Sequence, residues 1–198
     1  MQDKPLGKST KSEVENLVAM LSSGDKRTRS FAWKNAGSVG AAAIAKIAPL
    51  TAHANVEVRL AAKRAFREIA NWVARPTGAA HSRRFAVREF LAVLKPSFPL
   101  EARREALWCL AEIAGSEAVG PVAELLFEKD LREDARMVLE HLPVPEAVEA
   151  LKEALQKVPE DFRPSVAQGL RRRGIEVPGY PCRKLVPTKK TSVKPGGK

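Results

Sequence analysis

Small and apolar residues recur along this chain at intervals of three and four, the spacing that places side chains on one face of an α-helix. The stretch "VRLAAKRAFREIA" shows the register: counting from Arg59, Ala62, Ala65, Phe66 and Ile69 stand three, six, seven and ten positions on. Arg103 leads Ala106, Cys109, Leu110 and Ile113 in the same register, and Arg132 leads Ala135, Val138, Leu139 and Leu142. Arg29 leads Ala32, Asn35, Ala36 and Val39, and a degenerate copy runs from Arg163 through Val166, Gly169 and Leu170. The five arginines are 30, 44, 29 and 31 residues apart. The pattern predicts five amphipathic helices of one kind.

A second kind lies between them. Val14, Leu17, Val18 and Leu21 match Val87, Phe90, Leu91 and Leu94, and also Val119, Val122, Ala123 and Leu126. Val148, Leu151 and Leu155 keep most of that pattern; Ile44, Ile47 and Leu50 keep a looser one, with Pro49 expected to kink or end the helix. Breakers separate the pairs ("SSGD", "HAN", "KPSFP", "LPVP", "VPED"), and Asp25, Asn55 and Asp130 are expected N-caps of the arginine-bearing helices. The chain therefore divides into helix–turn–helix units at about 12–40, 41–72, 78–115, 116–143 and 144–174. A flexible 1–11 precedes them, and a Pro-rich basic tail, 175–198, follows, its first half expected to cap the last unit. The 44-residue interval holds an insertion, 71–84, expected to form an extra turn or a longer loop.

"NVEVRLAAKRAF" resembles the second helix of the short HEAT-like repeats of the phycobilisome-lyase type: an acidic or Asn cap, then Val-Arg and a small residue. The resemblance covers roughly Ser12 to Gly174. It implies an all-α, right-handed α-solenoid of about five repeats whose second helices line the concave surface. It implies little about activity, since such repeats serve many unrelated functions.

In such an array Arg29, Arg59, Arg103, Arg132 and Arg163 are expected to be structural. Their stems would cover small apolar residues while the guanidinium bonds carbonyls or acids of the neighbouring repeat. A ladder reading phosphates is the alternative, but recurrence in one phase favours an interface that every unit needs. Positions one, four, five and eight after each arginine then face outward, and the resemblance sets them on the concave side. They supply the candidate binding residues Trp33, Lys34, Lys63, Arg64, Arg67, Arg104 and Trp108. Tryptophans among cations suit stacked bases with phosphates, or an acidic peptide. Two half-buried core tryptophans beside a solvated basic face is the other reading.

Charge sharpens this picture without deciding it. The net charge is +11, and residues 171–198 hold nine Lys/Arg against one acid, leaving 25 basic and 22 acidic residues in the first 170. Residues 115–162 are acidic, with twelve Asp/Glu and five Lys/Arg. Such polarisation concerns partners, not fold. The first residues carry no apolar core after their lysines and do not read as a secretory signal, and no apolar run is long enough for a membrane span. Two cysteines, Cys109 and Cys182, suggest neither a disulfide framework nor a zinc site, and point to a reducing cytoplasm.

No GxxxxGK[ST], GxSxG or HExxH motif occurs, and His53, His81 and His141 are scattered, so no metal and no cofactor is expected. Cys109 is expected in the core; Cys182 lies among cations without a base. HEAT-like folds include a DNA glycosylase family, but that chemistry needs an aspartate in a basic groove, and Asp134 lies in the acidic fourth unit. Bilin-lyase activity is implied by the repeat name alone. The resulting expectation is a monomeric, non-enzymatic protein-interaction scaffold in the cytoplasm. The alternative is a nucleic-acid-binding protein whose basic concave face and tail bind in a salt-sensitive way.

Overall fold

The computed structural model describes residues 10–76 and 80–181, and among these the chain is all-helical, with no strand. Ten α-helices run in order: α1 Lys11–Leu21, α2 Lys26–Val39, α3 Ile44–Ile47, α4 Val56–Ala74 and α5 Ala80–Val93. They continue with α6 Leu100–Ile113, α7 Val119–Glu124, α8 Arg132–His141, α9 Pro145–Lys157 and α10 Arg163–Arg172. Short 3-10 turns flank α3 and α7, and one leads into α10. The expected breakdown at Pro49 is seen as a switch from α3 into the turn Ala48–Ala52.

Side-chain caps start α1, α2 and α4. Thr10 and Glu13 form a reciprocal capping box on α1. Asp25 Oδ2 accepts from the Thr28 N–H at 2.7 Å, and Asn55 Oδ1 from the Glu57 N–H at 2.9 Å, so both cap as expected. Asp130 does not. The Leu131 and Arg132 N–H groups donate back to Glu128 O, the residue before α8 is Leu131, and no side chain caps it. Asp25 and Asn55 precede their arginines by four residues, whereas Asp130 precedes Arg132 by two. It therefore sits in the register of Glu57, inside the first turn of α4, and not in that of a cap.

The even-numbered helices pack in sequence, α2 on α4, α4 on α6, α6 on α8 and α8 on α10. Each also packs on the odd-numbered helix before it, and α1 meets α3, α3 meets α5 and α7 meets α9. The core lies between these two sets. Leu17, Leu21, Ala32, Ala36, Ile44, Ile47, Ala62, Phe66, Ile69, Phe90, Leu110, Leu126, Val138, Leu151 and Leu170 are among its buried members. Phe66 and Phe90 meet edge to face across α4 and α5, their ring centres 5.4 Å apart.

Where α4 meets α2, its side holds small residues. On α4 the stripe Glu57, Ala61, Ala65, Glu68 and Trp72 follows helical spacing. Arg29 reaches Glu57, and Trp72 lies against Gly37 of α2, so Ala61 and Ala65 between them are buried toward α2. The insertion expected as a turn or loop is mostly helix: α4 continues to Ala74 and α5 begins at Ala80. Trp72 in this added length packs on α2 and is covered by Arg75, 3.8 Å from the ring centre. At the other end α10 stops at Arg172 and the chain turns at Gly174, whose φ of 78° needs glycine, while Ile175 N–H donates to Leu170 O. The following segment is not helical, and Ile175, Val177 and Tyr180 rest on the core.

Glycine in a helix interior is ordinarily improved by alanine by about 1 kcal/mol. Gly37 should reverse that sign, because an added Cβ would lie 2.8 Å from Trp72 Cβ. We expect Gly37→Ala to lower the melting temperature by overpacking, a cost of about 1–3 kcal/mol. Gly120→Ala in α7, where an added Cβ meets nothing within 4 Å, should leave it unchanged or raise it. Paired thermal melts of the two variants check this.

Candidate functional site

Four of the five recurrent arginines hold backbone carbonyls of the turn that precedes their own helix. Arg29 Nη1 donates to Ser23 O and Gly24 O at 2.7 and 2.9 Å, and Arg59 Nη1 to His53 O and Ala54 O at 2.8 and 2.9 Å. Arg103 Nε donates to Leu94 O at 2.7 Å, and Arg163 Nε to Val158 O at 3.3 Å. These carbonyls lie at interhelix turns, where helical partners run out. Three of the five reach an acid belonging to the next even helix or its approach: Arg29 to Glu57, Arg103 to Glu128 and Arg132, which holds no such carbonyl among the described residues, to Asp161. Arg132 also covers the Phe162 ring, at 4.7 Å. Arg29 and Arg103 are buried in doing so.

The seven candidate binding residues divide into two groups. Lys63 pairs with Glu101 at 2.6 Å, Arg67 is tied to Glu105, and Arg104 lies 3.6 Å from Asp134 and donates to Asp130 O at 2.9 Å. All three reach from one even helix to the next and carry a carboxylate partner. Trp33, Lys34 and Arg64 form the other group. Arg64 of α4 sits 5.6 Å from the centre of the half-buried Trp33 ring on α2, and Lys34 5.7 Å from it. Neither cation forms an ion pair among the described residues. Trp108 on α6 is 49% exposed, and no ring or cation contact joins it to Trp33 among those residues. Leu60, 41% exposed, lies on the same face of α4 as Arg64, one turn away.

Two features escaped the sequence pattern. Glu105 and Glu140 are buried carboxylates; Arg67 bonds the first, while Arg136 and Arg172 bond the second from α8 and α10. A groove of about 300 Å³ between α7 and α9 is lined by Gly120, Ala123, Phe127, Ala150 and Ala154, with Phe127 53% exposed.

The remaining polar candidates are engaged locally. His53 Nδ1 accepts from the Asn55 N–H, and His141 Nδ1 lies 2.8 Å from Met137 O. Cys109 is buried, and burial pushes its thiol well above its ordinary range, so it stays protonated. Cys182 and the end of the tail lie outside the described residues. Among the described residues, no group of three His, Cys, Asp or Glu could hold a metal ion, and no helix is long and apolar enough to cross a membrane. No family model matches the sequence, and no curated protein matches it.

The helix-to-helix pairs leave an electrostatic signature. The Lys63 hydrogen bond holds the Glu101 carboxyl below its ordinary value, and the Arg132 hydrogen bond does the same for Asp161. Burial works to raise Glu133, but hydrogen bonds from Arg136 and Ser165 outweigh it. These groups titrate lower folded than unfolded. Their contribution is therefore present above the unfolded value and lost as pH falls through the folded one. Thermal melts should weaken as pH falls below about 4.5, the ordinary glutamate value, and Glu101→Gln should flatten that loss. At neutral pH, Arg103→Ala should destabilise by about 2–3 kcal/mol, because it leaves a charge-assisted bond to a buried carbonyl unmade. Arg59→Ala, at a more exposed site, should cost about 1 kcal/mol.

Proposed function

We propose that the chain is a right-handed α-solenoid of about five HEAT-like repeats that acts as a non-enzymatic protein-interaction scaffold, with the cytoplasm as its setting. The successive packing of the even-numbered helices, with arginines in one phase holding four of the turns, supports the repeat reading. The observation that carries the functional reading is the fate of the cations. Lys63, Arg67 and Arg104, which a phosphate-tracking groove would need free, have carboxylates of the next helix against them. Each such pair presents an acid to an approaching phosphate and forfeits the counterion release that drives nucleic-acid binding. What stays available among the candidate positions is a set of apolar and aromatic groups with two cations: Trp33, Lys34, Leu60, Arg64 and Trp108. Aromatic anchors with sparse positive charge suit a protein segment that offers apolar side chains and a few carboxylates.

Nucleic-acid binding is favoured by one observation, the nine Lys/Arg of residues 171–198. The two readings separate by salt. Fluorescence anisotropy with duplex DNA should detect weak binding at low salt, falling by roughly 0.9 log units per log unit of salt for each phosphate contacted. Truncation after Gly174 should abolish most of it, and Trp33→Ala, Arg64→Ala and Trp108→Ala should leave it alone. Binding that persists at physiological salt and is lost in those three variants would replace the scaffold reading with the nucleic-acid one. Release of alkylated bases or attachment of a bilin, abolished by one substitution that leaves folding intact, would replace both.

A further inference from the structure

Each even helix after α2 has a backward side, facing the even helix before it. On α4 this side holds Ala61 and Ala65, 3% and 0% exposed against α2, with Glu57 at its start bonded by Arg29. On α6 it holds Glu101, Glu105 and the buried Cys109, met by Lys63 and Arg67 of α4. On α8 it holds Asp134, met by Arg104; on α10 it holds Ser165, which donates to Glu133, and Gly169, lying beside Arg136.

The equivalent positions on α2 are Arg27, Phe31 and Asn35, with Lys34 alongside. Among the described residues no even helix precedes α2, and these side chains are exposed. Phe31, the largest residue at its position in the five helices, is 61% exposed. Moreover, the charge is inverted: Glu57, Glu101, Asp130 and Asp161 stand two residues before their arginines, and Arg27 stands two before Arg29. Neither Arg27 nor Lys34 has an ion pair among the described residues.

We propose that the backward side of α2 is a docking surface for an acidic amphipathic helix of another protein, which packs against α2 as α2 packs against α4. Phe31 would anchor in its apolar stripe, while Arg27 and Lys34 pair with its carboxylates. Charge complementarity selects this occupant over a second copy of the chain. The chain's own even helices direct Arg29, Lys63, Arg103 and Arg132 forward toward acids of the next unit, and stacked on another α2 they would confront Arg27 with like charge. The far end of the row is also engaged, with Arg171 donating to Tyr180 O at 2.8 Å. The proposal deepens the scaffold reading and rests on it, but its surface shares only Lys34 with the group of Trp33, Leu60, Arg64 and Trp108.

The test uses the full chain and two synthetic amphipathic helices with the same leucine stripe, flanked by glutamates in one and by lysines in the other, followed by fluorescence anisotropy. The glutamate peptide should bind, and Phe31→Ser should weaken it by about tenfold, as loss of an aromatic anchor does. Arg27→Glu should weaken it too and shift preference toward the lysine peptide. Both variants alter exposed side chains and should keep wild-type helicity and melting behaviour. No binding of the glutamate peptide, or binding indifferent to both variants, overturns the proposal. So does Phe31-dependent dimerisation in sedimentation, which makes a second copy the occupant. Binding that appears only after removal of residues 1–9 overturns it in favour of the chain's own N-terminus. Peptide binding lost in Trp33→Ala and Trp108→Ala but not in Phe31→Ser overturns this surface while leaving the scaffold reading in place, and the DNA assay judges that reading separately.

Discussion

A side-chain cation on one even helix and a carboxylate on the next, or on its approach, meet at every junction in the row. Arg29–Glu57 joins α2 to α4; Lys63–Glu101 and Arg67–Glu105 join α4 to α6; Arg104–Asp134 joins α6 to α8; Arg132–Asp161 joins α8 to α10, where Arg172–Glu140 adds a pair in the opposite sense. Small residues permit that approach. With alanine or glycine at Ala61, Ala65, Gly37 and Gly169, neighbouring helices sit close enough for long basic side chains to reach across. Burying Glu105 and Glu140 without a guanidinium would cost several kcal/mol per ion, so the pairing and the close packing depend on each other.

This constraint changes what the chain's basic composition means. Read along the sequence, Lys63, Arg67 and Arg104 belong to a cationic face; in the folded protein they neutralise acids of the neighbouring helix. Lys34 and Arg64 lie beside Trp33, and Arg27 lies on the same exposed side of α2 as Phe31, each without an ion pair among the described residues. Both sets combine positive charge with an aromatic group. At the exposed side of α2, no even-numbered helix among the described residues takes up the side chains.

The register of the five arginines was legible because it recurs, and recurrence identifies a shared interface without any knowledge of distance. Asp25 and Asn55 were legible as caps because capping is local chemistry; Asp130 was not, since its offset from Arg132 differs by two residues from theirs. Periodicity says which face a residue occupies, but not which acid will reach it. Lys63 and Glu101 are 38 residues apart, so their pairing depends on helix order in space. Trp72 was hidden inside an apparent insertion, and its role appears once α4 is seen to run on past α2. Phe127 follows a core leucine by one residue, where a helical period would turn it outward, and that was a usable signal for the exposed groove.

The most direct test of this account is a double-mutant cycle at the α4–α6 junction, combining Arg67→Ala with Glu105→Gln and measuring stability by denaturant titration. If ties between successive helices hold the row together, the coupling should be of order 1 kcal/mol, each single variant costing more than it does when the partner is already gone. Additive effects with no coupling would contradict it, leaving apolar packing alone to carry the junction.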